Sequence, residues 1–321
     1  MSSAGTASEP GHGLKVGVAT VSLWLIWGST YLAILWAMKT LPPFLMAGAR
    51  FLAAGAVLFL WGKLRGAPWP RAVEWRSTLV IGAFLMLVGN GGVVYAESRL
   101  PTGLAALLIA TVPLWMVVLE ALRPGGKKPN ARTLAGVAIG LVGVGILMAR
   151  GSHTVESAID PIGVASCLAA ALCWSLGSIY SRRAPLPQSP PLTVGMEMLC
   201  GGALLMLLGC VHGEVGTLDL AAVSTRSWAA LAYLGVMGSL VGFSAYIFLL
   251  RETTPAVATT YAYVNPVVAV LLGWAFAGES ITGRTIAAMA VIVGAVVLIT
   301  LPSGPRRGPQ TEVEGLDAEA A

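Results

Sequence analysis

Three glutamates fall inside or at the ends of long apolar stretches: Glu97, Glu120 and Glu197. A carboxyl group there is costly, and burial raises its pKa towards neutrality, so each could take up a proton or hold a cationic cargo. Solvation at a membrane interface accounts equally well for Glu97 and Glu120, and Glu197, like Arg50, can snorkel towards its interface. Glu97 stands seven residues after Asn90 and Glu120 seven after Pro113, spacings that share a helix face. Asn90 is the strongest polar candidate in the first half, with an interhelical hydrogen bond as its alternative use.

A second constellation is Tyr261, Asn265 and Pro266. Pro266 has no amide hydrogen and crowds the carbonyl of Ala262, which predicts a kink. In hydrocarbon that freed acceptor must face protein or water, so the run reads as a cavity wall or as a packing kink with Asn265 bonded to a neighbour. Pro113 takes the corresponding place in an earlier stretch, making Pro113 and Pro266 a pair of candidate hinges.

Catalytic constellations are missing from the apolar stretches. The histidines His12, His153 and His212 fall outside them, with no His-Glu-x-x-His, no Gly-x-Ser-x-Gly and no phosphate-binding Gly-x4-Gly-Lys-Ser/Thr loop. Cys167, Cys173, Cys200 and Cys210 all lie in apolar segments, so neither a disulfide framework nor a metal site is expected, and no cofactor.

The elements that must position these residues are membrane spans. The 321 residues are 56% hydrophobic and 11% charged, with a mean hydropathy of +0.79. A soluble domain carries roughly a quarter charged residues. Ten apolar segments can be drawn at 16–38, 44–62, 77–97, 101–122, 132–149, 161–181, 191–211, 227–250, 255–277 and 284–301. Around them lie an N-terminal tail (1–15), a linker (150–160) and a tail expected to be disordered (302–321).

Basic residues concentrate in alternate loops, among them Lys63, Arg65, Arg71, Arg76, Arg123, Lys127, Lys128, Arg132, Arg182 and Arg183. The positive-inside rule puts both termini in the cytoplasm, and the net charge of +5 is then an orientation signal rather than a nucleic-acid surface.

The order of features repeats. Gly28-Ser29-Thr30-Tyr31 parallels Gly177-Ser178-Ile179-Tyr180, Pro42-Pro43 parallels Pro190-Pro191, and Pro113 parallels Pro266. Five spans per half is an odd number, so residues 161–301 enter the membrane from the side opposite to residues 16–149, giving an inverted repeat. Inversion sends Arg50 and Glu197 towards opposite faces. Gly136, Gly140, Gly143 and Gly145 give the fifth segment a small-residue face for packing within a monomer or across a homodimer.

The chain resembles the drug/metabolite transporter superfamily, EamA type. The resemblance rests on Ile26 to Tyr31, Met46 to Gly55, Val88 to Gly91, Ala110 to Leu114 and Thr260 to Gly273. It implies an all-α integral membrane fold, ten transmembrane helices in two inverted five-helix repeats around a central cavity, working in the cell (inner) membrane. Helices one, three, four, six, eight and nine would line the path, with five and ten packed away from it.

That assignment puts Trp24, Trp27, Tyr31, Tyr95, Tyr180, Tyr246, Tyr261 and Tyr263 on cavity helices, where rings suit flat or amphipathic organic molecules and also cations; Tyr95 and Tyr180 serve alternatively as interface anchors. One departure is that Arg123-Pro124-Gly125-Gly126-Lys127 stands where many family members repeat the Gly-Glu pair seen at Gly278-Glu279. The implied activity is secondary active export of a small organic metabolite or drug-like compound by alternating access. An intramembrane enzyme and a channel-like facilitator are the alternatives; the expected partners are a small-molecule substrate and the lipid bilayer.

Overall fold

Proline fits the first helical position, where the missing amide hydrogen is not needed, and several helices begin on one. A computed structural model describes residues 12–123, 131–148, 160–253, 258 and 260–300. Among them the chain is helical without strands: α1 (His12–Ala37), α2 (Pro43–Leu64), α3 (Ala72–Glu97), α4 (Thr102–Leu122), α5 (Ala131–Met148), α6 (Pro161–Ser181), α7 (Pro190–Val211), α8 (Thr225–Glu252), α9 (Tyr261–Ala277) and α10 (Gly283–Thr300). Seven of these, α1 to α4 and α6 to α8, are long and apolar enough to cross a membrane; α9 and α10 contain the shorter apolar helices Val264–Ala277 and Gly283–Ala295. Residues 1–11 of the expected N-terminal tail, the C-terminal tail, most of the linker and the start of the ninth segment at Pro255 lie outside the described residues, while residues 12–15, expected in the N-terminal tail, belong to α1.

Pro43, Pro161 and Pro190 open α2, α6 and α7. Asp160 adds a cap to α6, accepting from the Ile162 amide at 2.8 Å, and pairs with Arg99 at 2.8 Å. The Arg99 guanidinium and that amide hold the Asp160 carboxyl below the usual carboxylate range.

Glycine brings α2 and α7 into backbone contact. Gly48, Gly55 and Gly62 recur every seven residues on α2, as Gly195, Gly202 and Gly209 do on α7, and a seven-residue step keeps a helix face. A methyl at Gly195 would fall 2.5 Å from the Phe59 amide nitrogen and 3.0 Å from the Gly55 carbonyl; one at Gly202 would fall 2.9 Å from the Leu52 nitrogen. Gly48 faces Met206 while Gly62 faces Leu192, so the two helices run antiparallel. The pair α5 and α10 packs the same way: Gly140 approaches Ala295 and Gly143 approaches Ile292. These two glycines of the fifth helix are thus used inside the chain.

Two glutamates tie helix ends together. Gly213 (φ 82°) follows α7 and turns the chain so that buried Glu214 accepts from the amides of Phe44 at 3.1 Å and Leu45 at 2.8 Å, at the start of α2. Gly278 (φ 72°) ends α9, and Glu279 accepts from the Thr102 amide and hydroxyl, both at 2.7 Å, and from the Gly103 amide at 3.3 Å, at the start of α4. Carboxylates suit helix N-termini because they satisfy amides that have no partner within the helix. Glu214→Ala strands two buried amides and is expected to lower stability by about 1–3 kcal/mol. Thermal unfolding followed by tryptophan fluorescence checks this; an unchanged midpoint means that water replaces the carboxylate.

Candidate binding cavity

Three irregular stretches of helix and one proline within a continuous helix shape the interior. In α3 and α8 the backbone widens into π-helical turns, Ala83–Asn90 and Leu234–Val241. Such a turn shifts the hydrogen-bond ladder, and such stretches occur frequently at functional sites. Asn90 donates its side-chain amide to the Leu85 carbonyl at 3.1 Å, and the Gly238 carbonyl accepts from the Trp27 indole at 3.2 Å. The third irregularity accompanies a proline, while the other proline leaves its helix unbroken. α4 breaks at Ala110–Thr111 and restarts with Pro113 in its first turn, while Pro266 lies within α9. Both prolines are buried in protein, and Ser175 of α6 donates to the Val112 carbonyl beside Pro113 at 3.2 Å.

Between these stretches lies a half-open cavity whose space, open solvent at its mouth included, is about 640 Å³. Helix α1 contributes Trp27, Thr30, Tyr31 and Ile34; α2 Arg50 and Phe51; α3 Gly89, Asn90 and Val93; and α4 Ile109 and Val112. The wall continues with Ala170 and Trp174 of α6, Gly238, Ser239 and Phe243 of α8, and Tyr261 and Asn265 of α9.

One wall is aromatic. The Trp27 ring lies 5.5 Å from Trp174, 5.3 Å from Phe243, 5.2 Å from Tyr246 and 5.0 Å from Tyr261, mostly tilted or edge-on. Edge-to-face pairs of this kind are favourable beyond their buried area. Behind them the Tyr246 hydroxyl is 2.9 Å from Ser178 and accepts from Trp174 at 3.2 Å.

The polar wall centres on Arg50. Its side chain donates to Asn90 Oδ1 at 2.9 Å, and its guanidinium carbon lies 4.4 Å from the Phe51 ring centroid. Arg50 is 4% exposed, and its Nε has no partner; nor does the Ser239 hydroxyl on the same cavity. Asn265, with its amide nitrogen turned to donate, bonds the carbonyls of Trp24 at 3.2 Å and Tyr261 at 3.1 Å, so it both lines the space and joins α9 to α1.

Trp27, Tyr31, Asn90, Tyr261 and Asn265 therefore converge on one space. Tyr246 stands one ring behind it, and half-buried Trp24 donates to the Thr260 hydroxyl at 3.1 Å. Tyr180 is 39% exposed and does not line the cavity. The side chain of Tyr263 lies outside the described residues. Tyr95 stacks on Phe44 at 6.2 Å.

The three glutamates have different surroundings. Glu120 pairs with Arg123 at 2.8 Å and is partly exposed. Glu97 is buried with neither carboxylate oxygen hydrogen-bonded, and Glu197 is buried with Oε1 unpartnered. None of the three lines the cavity.

Sequence reasoning missed Arg50, Phe51, Trp174, Ser239 and Phe243 as cavity residues, and with them the contribution of α2. Arg50 does not snorkel; it turns inward to Asn90. The one usable signal was a lone cation inside a span with no acid at helical spacing.

The EamA-like transporter family model matches residues 16–149 and again 161–301. Over 284 residues the chain is 40% identical to the uncharacterized inner membrane transporter YedA of Escherichia coli (strain K12), covering 88% of this chain and 90% of that protein. It is 25% identical over 294 residues to a probable amino-acid metabolite efflux pump of Salmonella typhimurium, covering 88% and 94%. One crystal structure, at 24% identity and a TM-score of 0.61, covers 89% of this chain and 96% of its own, a likeness of fold. Matched by that model in both halves, this multi-pass membrane protein belongs to the EamA-like transporter family.

Proposed function

We propose that the protein is a secondary transporter of the inner membrane that exports small organic metabolites or drug-like compounds by alternating access. Ten spans form two inverted repeats, with both termini cytoplasmic, and cargo binds in the cavity between the halves. The observation that carries this reading is the cavity itself, walled by α1 to α4 from one half and by α6, α8 and α9 from the other.

The packing supports the inverted arrangement. α2 lies against α7 and α5 against α10, while α1 packs on α9 as α6 packs on α4. Elements related by an axis in the membrane plane must run antiparallel where they meet, as α2 with α7 and α5 with α10 do. The paired π-helical turns in α3 and α8 fit the same exchange. The relatives are named transporters or an efflux pump, which favours a carrier over an intramembrane enzyme.

Saturable efflux of a labelled compound from vesicles containing the protein tests the proposal; flux linear in concentration would indicate a channel and remove it. If Pro113 and Pro266 are hinges, Pro266→Ala slows that efflux about tenfold while membrane insertion is unchanged. Full efflux by this variant would make Pro266 a packing feature only.

A further inference from the structure

We propose that the cavity selects cargo carrying a carboxylate, with Arg50 as the group that receives it and the aromatic wall as the seat for an apolar body. The inference rests on the transport reading for its use, but on the binding geometry alone for its content. Four observations lead to it.

First, Arg50 is a buried cation in a membrane span, and no ion pair to it occurs among the described residues. A guanidinium in such a place is costly without an anion. Its hydrogen bond to Asn90 is to a neutral carbonyl oxygen, and it leaves Nε without an acceptor.

Second, Arg50 is held towards the empty space rather than away from it. The Asn90 amide is itself fixed by the π-helical Leu85 carbonyl, so Oδ1 is presented to the guanidinium and the remaining donors are left over. The planar fork of arginine matches the two oxygens of a carboxylate, a pairing stronger than neutral hydrogen bonds.

Third, the Ser239 hydroxyl adds another unpartnered polar group on the same cavity from the other half of the chain. Arg50 and Ser239 thus bring polar groups from both halves of the chain to one cavity. Fourth, Glu97 acts on Arg50 only through its field: it makes neither an ion pair nor a hydrogen bond with the guanidinium, and it does not line the cavity. The cation therefore remains available to a guest.

The aromatic wall sets the rest of the chemistry. Trp27, Trp174, Phe243 and Tyr261 offer ring faces and edges to a flat apolar group. A cationic guest would gain from those rings but would meet Arg50, and like charges in a low-dielectric site repel strongly. An organic acid with an apolar body fits both walls.

Trp27 and Trp174 on the cavity make the test optical. Full-length protein in detergent is titrated at neutral pH with 3-phenylpropionate, with its uncharged amide 3-phenylpropanamide, and with phenethylammonium, reading tryptophan quenching. The acid is expected to half-saturate at a concentration at least about tenfold below either competitor. In Arg50→Gln that preference disappears, and in Arg50→Lys part of it returns. Equal binding of acid and amide, preference for the amine, or no saturable quenching by the acid overturns the inference.

If Arg50→Gln fails to fold, judged by gel filtration and melting, the comparison of acid with amide on the native protein decides alone. Efflux of the same acid from vesicles separates the two readings. Binding of the acid without efflux upholds this inference and overturns the exporter, whereas efflux indifferent to the carboxylate does the reverse.

Discussion

Replacing Gly195 by leucine is expected to cut the yield of folded, monodisperse protein by roughly tenfold or more, because the added side chain has nowhere to go. A first carbon there already meets the Phe59 nitrogen at 2.5 Å and the Gly55 carbonyl at 3.0 Å, both backbone atoms of α2. Flexible side chains can swing aside; two packed backbones must separate along their length. In a bilayer the loss is severe, since close packing rather than water exclusion holds such helices together. The matched control is Gly235→Ala on α8, where the new methyl would meet nothing within 4 Å. Expression followed by size-exclusion chromatography reads both variants. A Gly195→Leu protein eluting like the native one would mean that the two helices are not held in this register.

Trp27→Ala is the second large effect. The ring contacts four other aromatic rings and donates to the Gly238 carbonyl. Its removal is expected to destabilise the protein by about 3–5 kcal/mol, with the cavity collapsing or filling with water. Efflux should fall by more than about tenfold even in protein that remains folded, since the seat for cargo is gone. Trp27→Phe keeps a ring but loses the indole donor, and it should recover most of the stability and part of the efflux. Melting temperature and efflux are measured on both variants. Native efflux in Trp27→Ala would show that cargo does not use this wall.

Much of this architecture was legible in the residues. The hydropathy pattern marks the long apolar helices, and the stretches from Ile26 to Gly273 that carry the resemblance mark the family. The seven-residue glycine steps on α2 and α7 were equally visible, yet their meaning needed the partner: spacing says that a face is smooth, not which helix lies against it.

Asn90 and Glu97 show the limit of counting along a helix. They share a face at seven residues, but two turns of rise separate them, and only Asn90 reaches the cavity. Arg50 was judged by depth in its span. What decided its direction was an amide on α3, across a helix boundary that no single-helix argument crosses. Trp174 and Phe243 were missed for a similar reason: an aromatic residue in an apolar helix is ordinary until its neighbours are known.

The two glycine-glutamate turns have a consequence for timing. α2 and α4 begin at the same end of the bundle, and there Glu214 and Glu279 lash them to the chain that follows α7 and α9. Parting the helices at that end means stripping charged acceptors from amides, at about 1.5–3 kcal/mol for each bond. Should the halves rock, the gate at this end would be the slow one, and the dwell of the molecule in its shut posture would lengthen or shorten with the strength of those two lashings.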